Sequence, residues 1–258
     1  MTNYYDVNLK RDRHSILKKN PSFLAYKGLL QDQKLLNEVY ERHKPNIIIH
    51  LAAQAGVRYS IDNPISYVES NLIGTFHILE LARKYKPEHF LMASTSSVYG
   101  SNKDMPLHEN QKSDTPMSFY AATKKSNEAM AHSYSHLYNI PTTMFRFFTV
   151  YGPWGRPDMA LFKFTRNILS GKPINVYNKG NMFRDFTYVD DLVKAIYLLS
   201  LKNPFEAQKN KEIIENDSLS DVAPFRIVNI GNSIPINLLD FIKELEKVLG
   251  INAKKNYL

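Results

Sequence analysis

Asn46-Ile47-Ile48-Ile49-His50-Leu51 is the stretch that decides the fold class. Three consecutive isoleucines without polar alternation are typical of a strand that is buried on both faces of a parallel sheet. Other short apolar runs recur along the chain, separated by longer stretches, and they occupy residues 23–26, 89–93, 142–148 and 226–230. We therefore predict five strands, and we expect residues 47–49 to be covered on both sides.

Longer stretches with helical spacing of apolar residues lie between these runs. The predicted helices are residues 31–42, 64–85, 118–138, 159–170, 190–201 and 237–249. Alternating strands and helices are typical of an α/β fold, here a doubly wound parallel sheet with helices on both faces. Residues 202–224 depart from this alternation of strands and helices. They mix charged, amide and small residues without periodicity, and we predict an exposed loop there.

The composition is that of an ordinary globular protein. Of the 258 residues, 43% are apolar and 22% are charged, which excludes a disordered or fibrous chain. Cysteine is absent, which excludes a disulfide scaffold, thiolate metal sites and a cysteine nucleophile, and we expect no metal. No apolar run approaches the roughly 18 residues of a membrane helix, and the first residues lack the apolar core of a secretory signal. We therefore predict a cytoplasmic protein with no membrane partner.

The net charge points to an anionic ligand. Lysine and arginine total 33 against 25 aspartate and glutamate residues, for a formal charge of +8. The basic residues occur singly and in short pairs, and no stripe interleaves arginine with aromatic residues. This pattern disfavours nucleic acid as a partner and leaves an anionic small substrate as the better interpretation.

A tyrosine and a lysine four residues apart, Tyr120 and Lys124, are the first candidates for chemistry. At this spacing the two side chains lie on the same face of a helix. A phenol has a pKa of about 10. A neighbouring ammonium lowers that pKa, so the pair can act as a general base with its orienting cation. Such a pair also arises by chance, and a surface tyrosine beside a solvated lysine is the alternative interpretation.

Four consecutive hydroxyl residues, Ser94-Thr95-Ser96-Ser97, follow the strand predicted at residues 89–93. Ligands of a doubly wound sheet bind outside the carboxyl ends of its strands. An ordinary Ser/Thr turn is the alternative interpretation of this cluster. We predict that the hydroxyl of Thr95 and the Tyr120–Lys124 pair meet at one substrate hydroxyl.

Longer motifs carry a resemblance to a known family. The most specific is Phe147-Phe148-Thr149-Val150-Tyr151-Gly152-Pro153-Trp154-Gly155-Arg156-Pro157, and further matching segments are residues 50–60, 94–100, 120–124 and 184–191. On these residues the chain resembles the extended short-chain dehydrogenase/reductase family, in its nucleotide-sugar epimerase branch, over nearly its whole length. The resemblance implies a Rossmann-like sheet that lacks its first βαβ unit. It also implies an incomplete NAD-binding domain over residues 1–151 and a partial substrate-binding region over residues 152–258.

The resemblance also implies a set of site residues. Tyr120 would remove a proton from the sugar C4 hydroxyl, Lys124 would hold the nicotinamide ribose, and Thr95 would bond the same hydroxyl. Positions that match residues lining NAD are Ala52, Ala53, Gln54, Asn71, Ser94, Tyr120, Lys124 and Phe147. Positions that match residues near the UDP-sugar are Arg58, Ser96, Thr149, Arg156 and Arg184. An arginine suits a diphosphate or carboxylate because its planar fork binds two oxygens at once.

The implied reaction is an NAD-dependent 4-epimerisation of a UDP-sugar, with UDP-glucuronate to UDP-galacturonate favoured. Related dehydratases and decarboxylases carry a carboxylate after the same strand, whereas here Thr95 is followed by Ser96 and Ser97. An epimerase of neutral UDP-hexoses and an inactive truncated nucleotide-sugar-binding protein remain alternatives. The family also implies a homodimer through the two helices at residues 64–85 and 118–138, and a place in acidic surface polysaccharide synthesis.

The chain departs from the family pattern at its ends. No Gly-x-x-Gly-x-x-Gly turn occurs in the sequence, and the chain looks cut at both termini. In this family that turn brings the backbone close to the cofactor pyrophosphate. We therefore predict weak NAD binding and low stability for this chain alone. We also expect residues 23–26 to lack a neighbouring strand and residues 47–49 to form an open apolar edge.

Overall fold

The computed structural model describes residues 1–102, 104–210 and 216–258. The chain divides into two compact units. We call Gly28–Phe148 together with Asp191–Ile230 the larger unit, and Met1–Lys27, Thr149–Asp190 and Gly231–Leu258 the smaller unit. The assignment of residues 1–151 to the cofactor and of residues 152–258 to the substrate stays a prediction.

A four-stranded parallel sheet is the centre of the larger unit. Its strands lie in the order β1 (Ile47–His50), β2 (His89–Thr95), β3 (Thr142–Phe147) and β7 (Phe225–Ile230). Every residue of β2 is buried because the strand is paired on both sides and covered on both faces. An apolar core lies against one face of the sheet, with Phe90, Met92 and Met144 among its members. The predicted α/β class and four of the five predicted strands are confirmed.

Strand β1 lies at the edge of this sheet, and one of its faces is open. Ile48 packs against the core, whereas the side chains of Ile47 and Ile49 on the other face are 39% and 43% exposed. The prediction that residues 47–49 are covered on both sides is therefore wrong. In the part of the chain that the structure describes, no further strand pairs with β1. The expected open apolar edge is confirmed.

Residues 23–26 do not form the predicted strand. They have no regular secondary structure, and Leu24 and Tyr26 are exposed. A β-strand needs a partner for its backbone N–H and C=O groups. Within the described ranges no strand pairs with these residues, so their apolar composition alone does not make them a strand.

The helices of the larger unit follow the predicted spacing closely. They are α2 (Gln33–His43), α3 (Tyr59–Asp62), α4 (Ile65–Tyr67), a π-helical segment (Val68–Ile73), α5 (Gly74–Tyr85), α6 (Phe119–Tyr138), α8 (Val189–Ser200, in this unit from Asp191) and α9 (Pro204–Lys209). Helix α9 corrects the loop predicted over residues 202–224. The side chain of Asn203 caps it by accepting from the Phe205 N–H, and Pro204 occupies its first turn. Residues 211–215 of that predicted loop lie outside the described residues.

The smaller unit contains two small sheets and three helices. Strands β4 (Thr149–Tyr151), β6 (Phe183–Tyr188) and β8 (Pro235–Asn237) form one sheet, and β5 (Ile174–Val176) pairs with β9 (Lys255–Tyr257). The helices are α1 (Val7–Leu17), α7 (Ala160–Leu169) and α10 (Leu238–Leu249). Ile168, Ile174, Val176 and Ile242 form a small buried core. In the described residues, no helix combines the length and apolarity needed to cross a membrane.

Candidate active site

Helix α6 carries the predicted Tyr120–Lys124 pair. The hydroxyl of Ser118 accepts a hydrogen bond from the Ala121 N–H and starts the helix, which places Tyr120 in the first turn. Tyr120 is half-buried, and its ring meets the ring of Tyr67 edge-on at 6.0 Å between centroids. Lys124 lies one turn later and is only 3% exposed. Both residues of the pair are therefore fixed by the helix that faces the sheet.

The ammonium of Lys124 is a buried cation. Burial lowers the pKa of Lys124 to about 8, and the negative charge of Glu128 opposes this shift. Among the described residues, its ammonium donates no hydrogen bond and forms no ion pair. The site therefore suits a ligand that brings oxygen acceptors to this nitrogen.

Thr95 ends strand β2 at the carboxyl edge of the sheet. Its Oγ1 accepts a hydrogen bond from the Ser97 N–H at 3.2 Å, and its hydroxyl lies 3.3 Å from the hydroxyl of Ser97. Ser96 begins the 3-10 turn that follows and is half-buried. Helix α6 packs against both β2 and this turn. The structure thus brings the hydroxyl cluster against the helix that carries Tyr120 and Lys124.

The segment that follows β1 is clamped by Asn71. The buried Asn71 side chain accepts from the Gln54 N–H at 2.8 Å and donates to the Gln54 carbonyl at 3.0 Å. The same amide donates to the hydroxyl of Thr123 on α6 at 3.1 Å. Ala52 and Ala53 lie just before this clamp and are exposed. A fixed backbone with small exposed side chains lets a ligand approach the sheet edge closely.

The other predicted cofactor residues lie on the inner strands. Phe147 ends β3, and its ring stacks on that of Phe145 at 4.9 Å between centroids. The side chain of Ser94 is buried and donates to Glu128, so its hydroxyl is engaged within the protein. These residues and the Gln54 segment lie at the carboxyl ends of three neighbouring parallel strands, where ligands of such sheets bind.

The predicted substrate arginines are less enclosed. In the smaller unit, Nε of Arg156 lies 2.9 Å from Oδ1 of Asp158, whose Oδ2 accepts from the hydroxyl of Tyr4 at 2.8 Å. Arg184 in β6 is exposed and donates to the carbonyl of Phe183. Thr149 begins β4 of the same unit. In the larger unit, Arg58 is exposed just before α3.

Two buried ionic residues, Glu128 and Arg146, belong to this region, and neither is among the predicted site residues. Glu128 accepts hydrogen bonds from the hydroxyl of Ser94 at 2.6 Å and from two nitrogens of Arg146 at 2.9 Å each. Both side chains are almost fully buried. A signal for Glu128 exists in the sequence, since Tyr120, Lys124 and Glu128 repeat at intervals of four.

His50 is a third buried polar residue, at the end of β1. Its Nε2 lies 3.2 Å from the hydroxyl of Thr75. Burial, together with the positive charge of Lys124, lowers the pKa of His50 to about 3, so the imidazole is neutral near pH 7. Among the described residues, no group of three His, Asp or Glu side chains could hold a metal ion.

Comparisons with known proteins give a consistent picture. A family model described as NAD dependent epimerase/dehydratase matches residues 3–214. A probable UDP-glucuronate 4-epimerase of Rhizobium meliloti (strain 1021) is 53% identical over 258 residues, which cover 100% of this chain and 76% of that protein. UDP-glucuronate 4-epimerase 1 of Arabidopsis thaliana is 46% identical over 99% of this chain and 59% of that protein. The crystal structure of UDP-glucuronic acid 4-epimerase from Bacillus cereus, in complex with UDP-glucuronic acid and NAD, matches with a TM-score of 0.78 and 33% identity, over 97% of this chain and 73% of that one.

Proposed function

The chain belongs to the NAD dependent epimerase/dehydratase family, and from that premise we propose that it interconverts UDP-glucuronate and UDP-galacturonate by epimerisation at C4. The observation that carries the proposal is the buried Lys124 one turn after Tyr120, on a helix packed against the end of β2. The names of the Rhizobium and Arabidopsis relatives support the choice of substrate.

The buried polar groups fit NAD as the cofactor. Both the nitrogen and the oxygen of the buried Asn127 amide lack a hydrogen-bond partner among the described residues. Asn127 lies one turn after Lys124 on α6, and the ammonium of Lys124 also donates no hydrogen bond there. Ribose hydroxyls and a carboxamide are acceptors and donors of the kind that such groups need. We propose that Lys124 and the Asn71-clamped segment hold this group. The chemistry that bound NAD+ supplies is reversible acceptance of a hydride from a carbon that bears a hydroxyl.

The residues of this chain would then handle the proton and the orientation of the sugar. We propose that Tyr120 takes the proton of the C4 hydroxyl and returns it, with Lys124 favouring the ionised phenol. Thr95 would hold the same hydroxyl oxygen in place. Arg156, Arg184 and Arg58 would bind the anionic groups of the UDP-sugar, because a guanidinium pairs with phosphate and carboxylate oxygens.

The residues after Thr95 support epimerisation over elimination. Loss of water from the sugar needs a general acid, and Ser96 and Ser97 are hydroxyl residues with no acidity near pH 7. The hydroxyl network in which Thr95 contacts Ser97 orients oxygens without supplying a proton donor of that strength. The absence of a carboxylate in this turn therefore favours a reaction that ends with the C4 hydroxyl restored.

The test is a direct assay of the purified chain with UDP-glucuronate and millimolar NAD+. The expected result is formation of UDP-galacturonate, separated and identified by chromatography and mass spectrometry with an authentic standard. UDP-glucose is the second arm, because the Thermotoga maritima structure matched at 28% identity and a TM-score of 0.78 is a UDP-glucose 4-epimerase with UDP-glucose. If only UDP-glucose is turned over, UDP-glucose replaces UDP-glucuronate as the proposed substrate. If neither UDP-sugar is turned over, the proposed epimerase function is refuted.

The proposal includes assembly and location. Exposed apolar side chains lie along the helices that we predict to mediate dimerisation, namely Ile65, Ile73, Phe76, Phe119 and Leu137. We propose a homodimer through this surface, and light scattering coupled to size exclusion should give twice the 29.8 kDa mass of the chain. A monomer mass at micromolar concentration would refute the dimer.

The expected location follows from the proposed substrates. A reaction on NAD and a UDP-sugar is expected in the cytoplasm.

A further inference from the structure

The buried carboxylate of Glu128 has a role that the proposed function does not yet use. Resting on that function, we infer that Glu128 is a positioning residue of the candidate active site. Fixed by Arg146, it ties the end of β2 to α6 through Ser94 and provides the negative charge one turn from Lys124. Glu128 and Arg146 are 2% and 1% exposed, so neither is a surface charge.

The carboxylate of Glu128 accepts four hydrogen bonds. Oε1 accepts from the Ser94 hydroxyl and from Nε of Arg146, while Oε2 accepts from Nη2 of Arg146 and from the Lys125 ammonium at 3.1 Å. Arg146 is itself fixed, because it donates to the Glu109 carbonyl at 3.1 Å and lies over the Tyr99 ring at 4.6 Å. A carboxylate with this set of donors has one orientation, and a bidentate pair of this kind is among the stronger interactions in a protein.

The Ser94 hydrogen bond connects this pair to the reacting groups. Ser94 precedes Thr95 in β2, and Glu128 lies two turns after Tyr120 on α6. The bond of 2.6 Å between Ser94 and Glu128 therefore fixes the end of the strand relative to the helix. Because Thr95 and Tyr120 lie on these two elements, their relative position depends on a contact that neither of them makes.

The charge of Glu128 acts on Lys124. Tyr120, Lys124 and Glu128 share one helix face through their spacing of four. Lys124 is buried without an acceptor among the described residues, and a buried cation without compensation loses its proton easily. Glu128 is the carboxylate that acts on Lys124. His50 at the end of β1 is neutral, and Tyr120, one turn earlier on α6, is the phenol whose ionisation the proposed function uses. Glu128 accordingly raises the pKa of Lys124, against the lowering by burial.

The deciding experiment measures the titration of Lys124 in the ligand-free chain. Lysine labelled with carbon-13 gives a side-chain NMR signal for Lys124, which is assigned by its loss in Lys124→Met. In Glu128→Gln the amide keeps the shape and one acceptor oxygen but removes the charge, and we expect the Lys124 midpoint to move to lower pH. Asp217→Asn is the matched control, because Asp217 also pairs with an arginine, Arg226, in the same unit. It should leave the Lys124 midpoint unchanged.

An unchanged Lys124 midpoint in folded Glu128→Gln overturns the inference. If Glu128→Gln does not fold, Glu128→Asp decides instead, because it keeps the charge but withdraws it by one methylene. A smaller shift in the same direction then supports the inference, and no shift overturns it. A purely structural role would lower stability in both variants without moving the titration.

Activity gives the second readout. In Glu128→Gln we expect the alkaline limb of the pH profile of kcat to move to lower pH, with kcat at neutral pH reduced about tenfold and KM nearly unchanged. If the wild-type chain turns over no UDP-sugar, the proposed function fails. The Lys124 titration in the ligand-free chain still decides the role of Glu128.

Discussion

Lys124 and Thr95 of the larger unit and the candidate arginines of the smaller unit differ in how far the protein encloses them. In the larger unit Lys124 and Thr95 are buried, whereas in the smaller unit the side chain of Arg156 is 26% exposed and Arg184 is more open still. Burial shifts the pKa of a titrating group, as the pKa of Lys124 shows, while an arginine keeps its charge in either setting. Under the proposed function, we therefore propose that the larger unit carries out the proton transfer and that the smaller unit supplies positive charge for binding an anion.

The largest effect that would test this division is expected at Tyr120. Tyr120→Phe removes the hydroxyl and keeps the ring, so kcat should fall by about 10²–10⁴-fold with little change in substrate affinity. Tyr134→Phe is the matched control, since Tyr134 lies on the same helix and donates its hydroxyl to Glu80. Steady-state assays of both variants check the prediction. Equal losses in the two variants would place proton transfer elsewhere.

The second prediction concerns the neutral His50 of the larger unit. Its pKa is about 3 in the folded chain and near 6.5 when unfolded, so between these values the unfolded state binds a proton that the native state does not. Stability is therefore lost as pH falls from about 6.5 towards 3, by up to about 1.4 kcal/mol per pH unit. His50→Gln should reduce this slope in urea unfolding at a series of pH values. The exposed His108→Gln is the control, and a slope that falls equally in both contradicts the assignment.

A smaller effect is expected in the smaller unit. Arg156→Gln removes one charged donor that is partly solvated and already paired with Asp158, so the KM for the UDP-sugar should rise about tenfold while kcat changes little. Arg166→Gln, on the exposed face of α7, should leave both constants unchanged. Initial rates over a range of substrate concentrations separate the two cases. A loss confined to kcat would show that Arg156 acts in the chemical step.

The fold could be predicted from the sequence wherever a segment with a strand-like or helical pattern also has a neighbouring element to pair or pack with. Residues 89–93 and 142–148 became the inner strands β2 and β3 because a neighbour satisfies each backbone edge. Residues 23–26 are also mainly apolar, but no strand of the described ranges pairs with them, so local pattern alone could not decide their structure. The short strands of the smaller unit, such as β5, were not predicted because three residues carry too little periodicity to detect.

Local sequence patterns likewise predict only part of the candidate site. The spacing of Tyr120 and Lys124 is a local signal, and the structure brings the Thr95 cluster against their helix. The Glu128–Arg146 pair joins residues of a helix and a strand, and only the fold makes them neighbours.

Weak binding of NAD by this chain stays a prediction that a calorimetric NAD titration tests, and a micromolar dissociation constant would contradict it.

The smallest effect is expected at the open edge of the larger unit. Ile49 faces solvent, so Ile49→Lys should change the free energy of unfolding by no more than about 0.5 kcal/mol. A charge on an exposed apolar edge strand opposes edge-to-edge pairing, so light scattering at high protein concentration should show less association than for the wild-type chain. Ile48→Lys is the matched control one residue away. Ile48 packs against the core, and burying an ammonium there should cost several kcal/mol. If the two variants are destabilised equally, both faces of β1 are covered. The sheet of the larger unit would then have no exposed face at this edge strand, and the difference in exposure between it and the arginines of the smaller unit would be greater than we describe.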